Sequence, residues 1–185
     1  MTSAPEDVAG DPTETVIGVA LPVPEPHGPV LQAWRREFGD PLGEVIPAHI
    51  TLIPPTPVRV DLLPEVVEHL SKAATTTPPF RVRLRGTATF EPVSPVVFVV
   101  VAEGISNCET LAGMLRQGPL DITLSYPYHP HVTVVQNMPK PALDQAFDTL
   151  ASFDASYQAE SFGLYVHGLD GIWHKERDFW LEGSW

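Results

Sequence analysis

Two tetrapeptides carry the groups in this chain best suited to moving protons at a phosphate. Residues 49–52 read HITL and residues 131–134 read HVTV. In each, a histidine is followed by an apolar residue, a threonine and a second apolar residue. In a β-strand, residues i and i+2 point to the same face, about 6.6 Å apart at the usual rise. His49 and Thr51 therefore share one face, as do His131 and Thr133, while Ile50, Leu52, Val132 and Val134 turn to the core. If two such strands meet, two imidazoles and two hydroxyls converge. One imidazole can act as general base and the other as general acid, and the hydroxyls can hold phosphate oxygens. A single H-x-T-x is a weak signal, but two in matching contexts are much stronger.

The contexts do match. The two histidines are 82 positions apart, and the same offset places Pro57 on Pro139, Phe80 on Phe162 and Gly86 on Gly168. It also sets Gly18-Val19-Ala20 on Val100-Val101-Ala102 and Val97-Phe98-Val99 on Phe179-Trp180-Leu181. Few identities survive, yet the order of elements repeats as well, which favours a duplication.

Those elements are legible from pattern and punctuation. Thr15 to Leu21 is a strand, and a proline-rich turn containing His27 leads into a helix over Val30 to Phe38, with Val30, Leu31, Trp34 and Phe38 at helical spacing. The first motif strand spans about Val45 to Ile53 and is stopped by prolines 54, 55 and 57. Asp61 is a candidate cap for a helix to about Ala73, with His69 on its surface. Phe80 to Phe90 and Val96 to Ala102 form a hairpin. Ser106 to Gln117 is a helix, His129 to Gln136 the second motif strand, and Ala142 to Ser152 a helix with Leu143, Phe147 and Leu150 inward. A closing hairpin runs from Ser156 to His167 and Ile172 to Leu181. The expected fold class is α+β: two similar lobes of antiparallel strands backed by helices around a central groove.

Bulk composition narrows the function. At 185 residues the chain is long enough for a real core, and 43% hydrophobic with 18% charged residues is ordinary for a globular protein. The net charge of −12 argues against coating long nucleic acid, which relies on many Lys/Arg–phosphate contacts. A small nucleotide or short RNA in a locally basic pocket stays open. Glu6, Asp7, Asp11 and Glu14 make residues 1–14 an expected disordered acidic tail, with one domain over 15–185. Cys108 is the single cysteine, so neither an intramolecular disulfide nor a cysteine zinc cage is possible. No apolar run approaches membrane-spanning length, so a cytoplasmic monomer without cofactor is the expectation.

Three further features carry more than one reading. Arg81, Arg83 and Arg85 alternate on one strand face, which is either solvated or an electropositive wall beside the phosphate site. His129, two residues before His131, either completes a three-histidine metal site with His49, contacts substrate or supports the groups that do, or is a bystander behind Pro130. Tyr126 and Tyr128 either stack on a base or are ordinary strand-end aromatics.

The paired motifs at this separation resemble the two-histidine (2H) phosphoesterase superfamily, in its 2′-5′ RNA ligase and cyclic phosphodiesterase branch. The resemblance covers residues 15 to 183 and includes the lead-in YHPHVTV and the ending SFGLYVHGLDGIWHKERDFWL, where an aromatic residue follows the turn. It implies a duplicated, bilobal fold with both motifs in a groove. It also implies a hydrolase acting on 2′,3′-cyclic phosphates of nucleotides or RNA ends without metal, with ligation through a 2′-5′ link as the reverse. His49 and His131 become the acid/base pair and Thr51 and Thr133 the phosphate ligands, with Tyr128, His129 and Arg83 as further substrate-binding candidates. The alternatives are a non-catalytic nucleotide- or RNA-binding module of the same fold and a histidine-ligated metal hydrolase.

Overall fold

A computed structural model describes residues 13–184. The elements are β1 (Glu14–Pro22), α1 (His27–Glu37), β2 (His49–Arg59), α2 (Leu63–Thr76), β3 (Phe80–Thr89), β4 (Val96–Glu103), α3 (Ile105–Leu115), β5 (His131–Gln136), α4 (Lys140–Thr149), β6 (Asp154–Ala159), β7 (Ser161–His167) and β8 (Trp173–Trp180). The strands form two antiparallel four-stranded sheets in the orders β2-β1-β7-β8 and β5-β4-β3-β6. This is the expected bilobal α+β architecture. Residues 1–12 of the expected tail lie outside the described residues, and Glu14 already belongs to β1.

The motif strands β2 and β5 each lie at one edge of a sheet and approach one another. Their alternation does what the sequence predicts: Ile50, Leu52, Val132 and Val134 are fully buried, while the histidines and threonines between them are half-buried. Burying each such side chain is worth about 1.5–3 kcal/mol, so a one-residue slip that turned the histidines inward would forfeit several such terms at once. On the helices, Val66 and Leu70 of α2, and Cys108, Leu111 and Leu115 of α3, sit in the same core at zero exposure. Burial pushes the Cys108 thiol up to about 12, which makes it an inert packing group. Helix α3 packs against β2, and α1 and α4 against β5.

Several expectations change. Prolines 54, 55 and 57 do not end the first motif strand, which continues to Arg59 and pairs with β1 as far as Glu14. Proline lacks an N–H donor, but β2 is an edge strand whose outer side needs none. Helix α2 starts at Leu63 without a side-chain cap, and Asp61 instead binds the guanidinium of Arg59. His27 opens α1 rather than lying in a turn, and the second motif strand begins at His131, not His129. Leu143 of α4 and Leu150 just past its end are buried, but Phe147 is exposed and Ala146 takes the inward place.

The largest correction concerns the repeat. The 82-residue offset carries β2 to β5, β1 to β4 and β3 to β7, and these hold equivalent positions in the two sheets. It also carries β4 towards β8, yet β4 adjoins a motif strand while β8 is an outer edge. The lobes are not consecutive halves of the chain. The run Ser156–His167 is two strands, β6 completing the second sheet beside β3 and β7 returning to the first beside β1. The apolar positions change parity at this junction, from Tyr157 and Ala159 to Phe162 and Leu164, with no Gly or Pro at Glu160-Ser161 to mark the break.

Candidate active site

The motif side chains meet in a groove of about 330 Å³ between the two sheet edges. His49 and Thr51 line it from β2, and His131 and Thr133 from β5. Two hydrogen bonds brace β5 against its surroundings. At its start, the Tyr128 hydroxyl donates to the Thr51 carbonyl over 2.9 Å. At its end, the Gln136 N–H donates to the Asp40 carboxylate over 3.1 Å.

Each motif imidazole is held in the same way. The Nδ1–H of His49 donates to the Pro47 carbonyl at 2.7 Å, and the Nδ1–H of His131 donates to the His129 carbonyl at 2.7 Å. A carbonyl only accepts, so in both rings the proton of the neutral form sits on Nδ1. Nε2 is thereby left as the lone-pair nitrogen, a base when neutral and an acid when protonated. The carbonyl two residues before the histidine, with the backbone turning into the strand, orients each ring.

The environments of the two rings differ. His131 is bounded by Phe90 and Phe98, each ring centroid 5.0 Å away, and by the near-parallel ring of His129 at 6.2 Å. Among the described residues no aromatic ring packs on His49 in this way, but a guanidinium, Arg35, lines the groove on its side. Both imidazoles titrate below their ordinary value. For His49 the main cause is loss of solvent, partly offset by the Pro47 carbonyl and reinforced by the charge of Arg35. For His131 it is again loss of solvent, opposed by the His129 carbonyl, with His129 and His49 adding repulsion.

The groove is graded along β2. At the His49 end stand Arg35 and Gln136, both bonded to Asp40. At the Ile53 end, about 13 Å further along the strand, stand Tyr165 and Trp173. Gly18 lines this end, and a Cβ on it would meet the Trp173 ring at 3.4 Å and the Ile53 carbonyl at 3.7 Å. No carboxylate is among the described residues that line the groove. An otherwise acidic protein therefore has a groove lined by a guanidinium and two imidazoles, with two aromatic rings beside them.

The other sequence candidates fall elsewhere. Tyr128 is half-buried against the core, with Arg116 over its ring at 5.2 Å, and acts on the site through Thr51 rather than by facing the groove. The His129 side chain is exposed, and it is its carbonyl that reaches the site. Among the described residues, no three His, Cys, Asp or Glu side chains are arranged to hold a metal ion. Arg83 is not brought to the groove. Its guanidinium grips Asp154 at 2.9 and 2.7 Å and reaches Glu103 at 3.7 Å, while Arg81 pairs with Glu103 and Arg85 with Asp154. The arginine row is a solvated face with its own counter-ions. Arg35 escaped the sequence reading, although its spacing from Leu31 and Phe38 placed a cation on the apolar stripe of a predicted helix.

Comparison with known proteins agrees with this geometry. The 2′-5′ RNA ligase superfamily model matches residues 22–171. A protein of Oceanobacillus iheyensis named "Putative phosphoesterase OB1230" is 31% identical over 150 residues, covering 80% of this chain and 83% of its own. Among solved structures, TT0787 of Thermus thermophilus superposes with a TM-score of 0.67 at 24% identity, covering 92% of this chain and 100% of that one. Escherichia coli LigT complexed with NADP+ gives a TM-score of 0.65 at 16% identity, covering 91% and 99%. The chain belongs to the 2′-5′ RNA ligase superfamily of two-histidine phosphoesterases. It is an enzyme of that phosphoesterase class.

Proposed function

We propose that the protein hydrolyses 2′,3′-cyclic phosphates of small nucleotides or short RNA ends by histidine acid/base catalysis, without metal. The observation that carries this reading is the matched pair of Nδ1-tethered imidazoles in one groove, each with a threonine hydroxyl two residues on. The hydroxyls of Thr51 and Thr133 donate to the non-bridging phosphate oxygens. One neutral Nε2 takes a proton from a water attacking phosphorus, and the P–O bond to one ribose oxygen breaks. The other Nε2–H protonates that oxygen, leaving a phosphomonoester and a free hydroxyl. The two rings end with their protonation states exchanged and are reset by solvent. Each transfer is typically worth about 10²- to 10⁴-fold.

The cationic end of the groove suits the phosphate and the aromatic end suits a base. Crystal structures of LigT with phosphate, 3′-AMP and ATP support a small nucleotide as the ligand class. The test is a panel of 2′,3′-cyclic nucleotides and cyclic-ended oligoribonucleotides, turned over with a chelator present and the products identified. Hydrolysis to a phosphomonoester is expected. Activity only on added metal, or binding without turnover on every member, would refute the reading.

A further inference from the structure

The two motifs account for hydroxyl donors and imidazoles but supply no permanent positive charge. Both imidazoles lie below their ordinary titration range, so near neutrality the motifs alone offer an anion mainly neutral donors. One further group in the groove is a guanidinium. Arg35, on α1, is 5% exposed and nevertheless lines the groove.

Its pairing is unusual for a structural arginine. Nε donates to one oxygen of Asp40 at 2.8 Å. The same oxygen accepts from Gln136 N–H at 3.1 Å, and the other accepts from Leu42 N–H at 2.9 Å. Asp40, 2% exposed, is thus shared between one guanidinium nitrogen and two backbone amides. Among the described residues no hydrogen-bond acceptor reaches the terminal nitrogens Nη1 and Nη2, which carry four N–H bonds between them. A guanidinium this buried is costly unless its donors are used, and a two-nitrogen fork matches the spacing of phosphate oxygens.

We propose that Arg35 is a phosphate-binding residue of the groove, its terminal nitrogens taking the anion's oxygens, with Asp40 as the residue that positions it. The fork is anchored to one motif strand and lies near the other. Asp40 ties it to the end of β5 through Gln136, and the Arg35 charge is felt at His49 on β2. This rests on reading the groove as a phosphate site and names the group that supplies its charge. It also explains how a chain of net charge −12 attracts an anion: the attraction is local, from one buried cation with its counter-ion held behind it.

The test is calorimetric binding of inorganic phosphate, which does not depend on turnover. Arg35→Gln alone strands Asp40 without its partner and risks unfolding, so the informative variant is Arg35→Gln with Asp40→Asn, which keeps a neutral, hydrogen-bonding pair. Given two charge-assisted bonds lost, its phosphate Kd should rise roughly 10- to 100-fold at constant ionic strength. A folded double variant that binds phosphate like the native protein overturns the proposal. If the double variant does not fold, Arg35→Lys keeps the charge beside Asp40 but loses the fork, and its affinity should fall several-fold; unchanged affinity overturns the proposal. Native protein that does not bind phosphate sinks this inference and the phosphate-site reading together. Arg35-dependent phosphate binding without hydrolysis of any cyclic phosphate supports this inference and sinks only the proposed activity.

Discussion

Acidifying the protein from pH 8 to pH 5 should reveal how the fold treats its two site imidazoles. In the folded protein both lie below 6.5, chiefly because the groove removes solvent from the charged form. The unfolded chain, with ordinary histidines, therefore binds more protons than the native one between the depressed values and 6.5. Stability from these two groups is fully present above 6.5 and is lost as pH falls towards and through the folded values. Each unit by which a folded value lies below the unfolded one corresponds to about 1.4 kcal/mol of stability lost on acidification, and an ordinary folding free energy is small enough for such losses to register in a melt. Phosphate works the other way, because an anion beside Nε2 favours the imidazolium, and by linkage it should raise at least one of the two values. The assay is a nitrogen-15 NMR titration of the histidine rings, free and phosphate-bound, alongside urea melts at each pH. The free rings should show the Nδ1–H tautomer and midpoints under 6.5, moving upward with phosphate. An Nε2–H tautomer, or midpoints at or above 6.5 that phosphate leaves in place, would refute the reasoning.

Other perturbations follow from particular contacts. Tyr128→Phe removes the bond to the Thr51 carbonyl and should cost about 1 kcal/mol, or about 2–4 °C in Tm, while turnover falls less than tenfold; a hundredfold loss of kcat with unchanged Tm would contradict its role as a strut. Arg83→Ala breaks an exposed ion network away from the groove, so KM for a cyclic nucleotide should stay within twofold and stability within about 1 kcal/mol; a tenfold rise in KM would restore it as a substrate residue. Trp173→Ala should raise KM for a nucleotide roughly tenfold, in line with about 1–3 kcal/mol for stacking, yet leave inorganic phosphate binding unchanged. Equal losses for both ligands would show that Trp173 shapes the groove instead of receiving a base.

The motif strands were legible because strand alternation and chemistry coincide in them: His49 and Thr51 must leave the face that Ile50 and Leu52 bury. The helices followed from spacing, with errors where one apolar position was exchanged for a neighbour, as Phe147 for Ala146. Strand pairing was far less visible. Prolines 54, 55 and 57 read as a stop because the sequence does not say that β2 is an edge, and the Ser156–His167 run read as one strand because no Gly or Pro marks the junction at Glu160-Ser161, where the apolar positions change parity. Within the site, the imidazoles and hydroxyls were found from side-chain type, whereas the carbonyls of Pro47 and His129 carry no sequence signal at all. Arg35 was half-visible as a charge on an apolar helical stripe, but its groove appears only when α1 packs beside β5. Arg83 misled for the opposite reason: a row of three arginines looks like an anion wall until Asp154 and Glu103 are seen beside it.

The central claim is that His49 and His131 work as one base and one acid on a cyclic phosphate. The measurement that tests it most directly is turnover of a 2′,3′-cyclic nucleotide against pH, with chelator present, for the native protein, His49→Ala, His131→Ala and the double variant. The native profile should be a bell whose kcat/KM optimum lies on the acid side of neutrality, because both free rings titrate below 6.5. Each single variant should lose roughly 10²- to 10⁴-fold and one limb of the bell, and the double variant should lose less than the product of the two. A folded His131→Ala protein with near-native turnover would contradict the account.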